Sequence, residues 1–181
     1  DPAEMDLAEA NALATMEAWS LSRLETDFQF TAAYVVHLHR QWLGRIYSFA
    51  GEYRVDNVSK GGHMFCAAAY IPQQMAELDQ RILKTHTPCE AMDAARLAKA
   101  LAAVHAELLA IHPFREGNGR LARWVASLMA LQAGFPTLEW SVEQSEPGRT
   151  EYFSDLRKGY GLDLTALETR FGEILRRSGR P

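Results

Sequence analysis

Apolar residues recur every three or four positions along most of this chain, which is the spacing of one face of an α-helix. The clearest run predicts a helix from about residue 91 and consists of Leu97, Leu101, Val104, Leu108 and Ile111. The next run predicts a second helix, closed by Gly134 and Pro136, and consists of Leu121, Val125, Leu128 and Gln132. The same spacing predicts helices over 4–24, 30–49, 72–84, 148–160 and 163–177.

Residues 51–66 break the helical pattern. Val58 precedes a Gly61-Gly62 pair and Met64 and Phe65 follow it, which predicts a β-hairpin with a glycine turn. The segment 136–148 is too polar and too interrupted to predict a helix. We therefore expect one all-α domain over 1–181, a helical bundle that carries a short β-hairpin.

Composition and charge narrow the class of protein. With 181 residues, 48% of them hydrophobic, the chain is long enough for one packed domain and short for two. It has no run of eighteen apolar residues and no signal peptide, so we expect a soluble, cytoplasmic protein without a membrane partner. Cys66 and Cys89 are too few for a metal site or a disulfide framework.

Several residues outside the central helices are expected to be structural. The N-terminal helix is predicted to serve packing, with Glu4, Glu9 and Glu17 exposed. His39 is expected to be structural or at the surface, and His105 to be a packed core histidine rather than a proton relay. The basic C-terminal end, which includes Arg180, suits a helix terminus and indicates no nucleic-acid partner.

The stretch HPFREGNGRLAR, residues 112–123, carries the candidate chemistry. Pro113 cannot continue a helix, so it presents His112 at a helix end. Gly117 and Gly119 allow backbone N–H groups to converge at the start of the next helix, where the helix dipole favours an anion.

The charges of this stretch indicate a polyphosphate ligand. Arg120 and Arg123 lie three positions apart, on one side of the first helical turn, and guanidinium groups suit phosphate oxygens. The whole chain has a net charge of −4, so this basic site is local. Glu116 is suited to hold Mg²⁺ together with phosphate oxygens. His112 can take a proton from an incoming hydroxyl group.

The stretch resembles the signature HPFx[D/E]GNGRxxR of the Fic (filamentation induced by cAMP) family at every fixed position. The resemblance continues in residues 37–54, where Phe49 replaces a usual tryptophan. VSKGGHMF at 58–65 is similar to the family's flap hairpin, and RTEYFSDL at 149–156 to its closing helix. The resemblance covers nearly the whole chain and implies a Fic-type helical bundle with a short β-hairpin flap over the active site.

The resemblance also implies transfer of AMP from ATP, with Mg²⁺, to a Tyr, Ser or Thr hydroxyl of a target protein. His112 would be the base and Glu116 the metal ligand. The nucleotide phosphates would be bound by Gly117, Asn118, Gly119, Arg120 and Arg123. The target segment would dock on flap residues Val58, Ser59, Lys60, Met64 and Phe65 by strand addition. Tyr152 is a candidate for stacking on the base.

Two alternatives stay open: a Fic-fold transferase that uses another nucleotide or phosphodiester donor, and a catalytically idle nucleotide-binding scaffold. Many Fic proteins carry a self-inhibitory helix, [S/T]xxxE[G/N], whose glutamate pairs with the second motif arginine. Glu116 is the only glutamate here that precedes Gly or Asn. Arg123 is therefore expected to be free for the γ-phosphate, with restraint, if any, from a separate antitoxin-like partner or from segments outside these residues. Delivery into another cell as an effector is left open.

Overall fold

The structure is a computed structural model that describes residues 1–179. Arg180, part of the predicted basic end, lies outside these residues. The first helices are α1 (Pro2–Leu21), α2 (Ala32–Leu43), α3 (Ile71–Glu77) and α4 (Lys84–His86). They are followed by α5 (Ala94–Ile111), α6 (Asn118–Gln132), α7 (Ser141–Gln144), α8 (Gly148–Tyr160) and α9 (Thr165–Ser178). The two strands are β1 (Ser59–Lys60) and β2 (His63–Met64). The predicted all-α bundle with a hairpin is confirmed.

Helix α5 is the centre of the bundle. It packs against α6, α8 and α9, and a helix buried on all sides is the core of such a fold. Its many alanines allow these neighbours to approach closely. The side chain of Asp93 caps the first turn by accepting the N–H of Arg96 at 2.8 Å. The predicted start near residue 91 is thus three residues early.

Helix α2 ends at Leu43, whereas the sequence predicted a helix that continues to residue 49. Gly44 caps it, and the N–H groups of Ile46 and Tyr47 both bond to the Leu43 carbonyl oxygen at 2.9 Å. Because of this turn, Phe49 does not lie on the apolar face of α2. It stacks on Tyr47 instead, with ring centroids 4.8 Å apart. The early end was not predicted because the apolar spacing continues through the turn.

Two other stretches differ from the prediction. Residues 136–148 contain the short helix α7, so the prediction of no helix there is wrong. Glu143 on α7 is buried and lies 2.7 Å from the Arg177 guanidinium, a long-range ion pair that sequence spacing does not reveal. Between α3 and α4 lies a π-helical segment, Leu78–Leu83, so residues 71–86 form one nearly continuous helical stretch. Asp79 in this segment accepts the N–H of Ala32 at 2.9 Å and ties it to the start of α2.

The hairpin is shorter than the predicted 51–66 and pairs Ser59 with Met64 and Lys60 with His63. Gly61 and Gly62 have φ of 57° and 77°, so both turn residues have the positive φ that a tight two-residue hairpin requires. A two-stranded hairpin is marginal by itself. It is held here by aromatic contacts, among them a stack of His63 on Tyr160 of α8 at 4.6 Å.

Helix α1 is attached to the bundle by polar contacts. The indole N–H of Trp42 donates to the Glu9 carbonyl oxygen, and the indole N–H of Trp124 donates to Ser20 Oγ, both at 2.9 Å. Among residues 1–179, no helix is both long and apolar enough to cross a bilayer.

Candidate active site

His112 is the C-cap of α5 and has a left-handed backbone, with φ of 50° and ψ of 59°. Its N–H still bonds to the Leu108 carbonyl oxygen at 3.0 Å, and Pro113 ends the helix. Phe65, which follows β2, stacks on the imidazole with centroids 3.9 Å apart and ring planes 16° apart. The helix end and the hairpin together fix the ring.

The imidazole of His112 is neutral at pH 7. Burial lowers its pKa to about 4, and the charges of Arg54 and Lys60 act in the same direction, while the Leu109 carbonyl and Glu116 oppose them. Nδ1 is buried and makes no hydrogen bond of normal geometry to residues 1–179. Nε2 is therefore the nitrogen available to a substrate.

His39 on α2 fastens the loop that follows His112. Its ring stacks on buried Phe114, with centroids 3.9 Å apart and planes 7° apart. Nδ1 accepts the N–H of Gly51 at 2.8 Å, so Nε2 carries the proton and donates to the Glu116 carbonyl oxygen at 3.1 Å. Burial lowers the pKa of His39 to about 4. The expected structural role thus has a defined target, the motif loop.

Asn118 closes the loop with its side chain. Its Oδ1 accepts the N–H of Phe114 at 2.9 Å, and its Nδ2 donates to the Phe114 carbonyl oxygen at 2.7 Å. Both amide atoms thus hold the loop closed, and the backbone N–H of Asn118 is a further donor at the start of α6.

Gly117 is required by space as well as by conformation. Its φ is 83°, in the left-handed region. A Cβ at this position would lie 2.6 Å from Cζ3 of Trp42, a side chain buried beneath the loop. The loop therefore rests directly on Trp42.

The start of α6 offers backbone donors to a ligand. The N–H groups of Asn118, Gly119 and Arg120 have no acceptor among residues 1–179, as expected for the first turn of a helix. The preceding N–H, of Gly117, donates to Oε1 of Glu116 at 2.8 Å. This arrangement gives the predicted anion site a carboxylate at its edge.

Arg120 is shared between the cavity and α1. Its Nη2 lies 2.6 Å from Oε2 of Glu9 and 3.4 Å from Oε1 of Glu116. Tyr47 donates its hydroxyl to the other oxygen of Glu9 at 2.5 Å. Although burial opposes ionisation, these contacts hold the pKa of Glu9 below its usual value. The expectation that Glu9 is exposed is wrong, since only 5% of the residue is accessible.

Arg123 has no carboxylate within 4 Å among residues 1–179. Burial lowers its pKa, while the neighbouring Tyr152 acts in the opposite direction. Tyr152 is only 3% exposed, and its hydroxyl bonds to Nε2 of His105 at 2.7 Å. This burial favours a role for Tyr152 in supporting Arg123, and base stacking stays a prediction.

His105 is a core histidine, as expected. Its Nδ1 bonds to the Ala122 carbonyl oxygen at 3.3 Å, and its Nε2 to Tyr152. Both ring nitrogens are occupied, and burial lowers its pKa to about 3. The bonding leaves no nitrogen for a relay to His112.

A cavity of about 570 Å³ joins these groups. Its walls are the hairpin, the loop after His112, the first turn of α6 and one face of α8. The predicted site residues that line it are Val58, Ser59, Lys60, Phe65, His112, Glu116, Gly117, Asn118, Gly119, Arg120, Arg123 and Tyr152. Met64, by contrast, is 63% exposed and does not line it. Among the described residues of the wall, Glu116 is the single carboxylate, and the cationic side chains are Lys60, Arg115, Arg120, Arg123 and Arg157.

The donor set suits a metal that arrives with its ligand. Among the described residues no group of three or more His, Cys, Asp or Glu side chains could hold a metal ion. One carboxylate, Glu116, faces the cationic cavity beside the phosphate-type donors of α6. Mg²⁺ commonly binds through one or two carboxylates, substrate phosphates and water, so Glu116 fits such an ion.

Sequence comparison matches residues 29–130 to the model of the family described as "Fic/DOC family". Among curated proteins, the "Probable protein adenylyltransferase y4lH" of Sinorhizobium fredii is 31% identical over 76% of this chain and 69% of its own length. The "Protein adenylyltransferase VbhT" of Bartonella schoenbuchensis is 27% identical over 82% of this chain. This chain spans only 31% of the length of VbhT.

Solved structures share the fold. The BepC protein of Bartonella tribocorum, a VirB-translocated effector crystallised with bound AMPPNP, aligns with a TM-score of 0.76. The alignment covers 96% of this chain and 87% of BepC at 20% sequence identity. The helices and the hairpin around the cavity are thus an arrangement with experimental precedents.

Proposed function

This chain belongs to the Fic/DOC family, and from that premise we propose that it is a protein adenylyltransferase, which moves AMP from MgATP to a Tyr, Ser or Thr hydroxyl of a target protein. One observation carries the proposal: the neutral imidazole of His112 and the arginine-bearing start of α6 line the same cationic cavity. A base and a polyphosphate site are the two components that the reaction needs.

The transfer step uses the residues as follows. His112 Nε2 accepts the proton of the target hydroxyl, whose oxygen forms a bond to the α-phosphorus of ATP. The bond from that phosphorus to the bridging oxygen breaks, and pyrophosphate leaves. The backbone N–H groups at the start of α6, with Arg120 and Arg123, bind the phosphates and stabilise the charge that develops on them.

Glu116 is the proposed contact for Mg²⁺, which when bound would neutralise phosphate charge. The phosphates would also act on His112. Negative charge beside an imidazole favours its protonated form, so a bound nucleotide raises the pKa of His112 from the low value set by burial. The base becomes stronger when the substrate is in place.

The hairpin is the proposed docking site for the target segment. Among residues 1–179 these two strands form a sheet of their own, so its outer edges have no ladder partner and can accept a further strand. Val58, Ser59 and Lys60 line the cavity, and Phe65 covers His112. A segment added to this edge would bring its hydroxyl to the imidazole.

Restraint by a separate antitoxin-like partner is also proposed. The absence of a carboxylate partner for Arg123 among residues 1–179 supports it, because a second protein could supply that partner. Adding a candidate partner that carries an exposed glutamate should lower transfer in wild type and leave an Arg123→Ala variant unaffected.

Isotope labelling tests the reaction directly. The chain is incubated with cell extract, Mg²⁺ and ATP labelled at either the α- or the γ-phosphate. Protein-bound label from the α position alone is expected. Label from the γ position alone would identify phosphoryl transfer instead, and no label from either would overturn the proposal. His112→Ala is the control for labelling that does not depend on the site.

A further inference from the structure

Arg54 lies behind the catalytic histidine and has an unusual set of partners. It is 6% exposed, and four of its five donors are bonded to backbone carbonyl oxygens. Nε donates to His112 at 2.8 Å, and Nη1 donates to Asp56 at 2.7 Å. Nη2 donates to Cys66 at 2.5 Å and to Ile111 at 3.2 Å. No carboxylate lies within 4 Å of it among residues 1–179.

These four carbonyls belong to two structures that must be held together. Ile111 and His112 end α5, whereas Asp56 and Cys66 lie on either side of the hairpin. A single guanidinium group therefore bridges the end of the catalytic helix and both ends of the flap. Two main-chain bonds run beside it, from Arg54 N–H to the Pro113 oxygen at 2.9 Å and from Cys66 N–H to the Ala110 oxygen at 3.2 Å.

The energetics favour a role that depends on this geometry. A buried guanidinium without a counter-ion is unfavourable, and the carbonyls at a helix C-terminus offset only part of that penalty. His112 is a non-glycine residue in the left-handed region, a backbone conformation that is unfavourable for L-residues. The Arg54 bonds to the Ile111 and His112 carbonyls stabilise that backbone conformation. Lysine, a point charge, cannot reach four carbonyls at once.

We propose that Arg54 is a positioning residue, which holds the His112 backbone and the hairpin in one fixed relation and thereby sets the distance between the base and a docked target hydroxyl. This inference rests on the proposed function for its effect on rate. It does not involve the nucleotide phosphates, because Arg54 does not line the cavity. Arg54 therefore acts on kcat, and MgATP affinity is set elsewhere.

The test compares Arg54→Lys with Arg45→Lys, an exposed arginine on the turn after α2. A displacement of about 1 Å at a reacting group costs on the order of 10²-fold, so Arg54→Lys should lower transfer at saturating MgATP by about that factor. The dissociation constant of MgATP, measured by calorimetry, should be unchanged in both variants. Retention of the full rate in Arg54→Lys, or an equal loss of MgATP affinity and rate, would overturn the proposal.

Hydrogen exchange gives a readout that does not require activity or a folded variant. In wild type, the Nε–H of Arg54 and the amide of Cys66 should exchange slowly, and the Nε–H of Arg45 rapidly. Equal exchange of the two side chains would refute the bridge. If wild type transfers no AMP, the proposed function fails. Slow exchange of the Arg54 Nε–H would still support the bridge that Arg54 makes between the hairpin and the end of α5. The two hypotheses therefore fail separately.

Discussion

The Glu9 carboxylate on α1 lies 2.6 Å from the Arg120 guanidinium in the first turn of α6. This contact joins the N-terminal helix to the phosphate-binding motif. Glu9 precedes residues 29–130, the segment that matches the Fic/DOC family. Arg120 also lies over Trp42, on which the Gly117 loop rests. Helix α1 is consequently part of the structure that shapes the site.

Glu9→Gln should destabilise the protein. The substitution removes the charge that Arg120 and Tyr47 bond, and hydrogen bonds to a charged group contribute about 1.5–3 kcal/mol each. We expect the free energy of unfolding in urea to fall by roughly 1–3 kcal/mol. Glu4→Gln is the control, since the Glu4 side chain is 84% exposed. Equal stability of the two variants would contradict the importance of this pair.

His112→Ala should abolish transfer and preserve nucleotide binding. A general base contributes roughly 3 to 5 kcal/mol to lowering the barrier, and the imidazole is not needed to hold the phosphates. Single-turnover transfer from α-labelled ATP measures the first effect, and calorimetry with MgATP the second. His37→Ala, at an exposed position of α2, should behave as wild type. A near-normal rate in His112→Ala would show that another group takes the proton.

Gly117→Ala should disrupt the loop for two separable reasons. The alanine would have to keep a φ of 83°, and its Cβ would lie 2.6 Å from Cζ3 of Trp42. Gly62→Ala shares the positive φ, at 77°, but its Cβ would meet no atom of residues 1–179 within 4 Å. We expect the hairpin variant to lose about 1 kcal/mol of stability, and Gly117→Ala to lose more and to bind MgATP less tightly. Similar losses in both variants would mean that Trp42 moves aside.

Arg123→Ala should weaken MgATP binding more than Arg120→Ala does. Nη2 of Arg120 is already bonded to Glu9, whereas Arg123 has no carboxylate partner among the described residues. Its full charge is therefore available to phosphate oxygens. Calorimetric dissociation constants decide the order, with Arg176→Ala, at an exposed position of α9, as the control. A larger loss in Arg120→Ala would indicate that the nucleotide displaces Glu9.

Acid should destabilise the fold before most carboxylates titrate. Burial lowers the pKa of His39 and His112 from 6.5 to about 4, so between these pH values the unfolded chain binds more protons than the folded one. The contribution of these two histidines to the free energy of unfolding is fully present above pH 6.5. It falls as the pH drops through that window, by up to about 1.4 kcal/mol per pH unit for each histidine.

Thermal unfolding between pH 7 and 4 measures this loss. The Tm should decrease steadily over the window, and His39→Asn should reduce the slope. His37→Asn, at an exposed position, is the matched control and should leave the slope unchanged. A Tm that stays constant over the window would contradict neutral, buried histidines in the folded protein.

Local sequence determined much of the fold and the central motif. The helix ending at His112, the break at Pro113, the glycine loop and the arginines at the start of α6 lie within a few residues of one another, and local backbone rules predict such features. The glycine turn of the hairpin was predicted for the same reason. These features need no knowledge of distant residues.

Tertiary structure alone decided which side chains support the site. Nothing in the spacing of Glu9 indicates that it meets Arg120, and nothing around Arg54 indicates that it bonds to four carbonyls near His112. The helix over 30–49 ended early at a turn whose hydrogen bonds are local but do not show in the apolar spacing. Helix α7 formed in a stretch too polar to predict, where Glu143 makes a long-range ion pair with Arg177. Periodicity reports which face of an element is buried, whereas the partner on that face depends on how the elements pack.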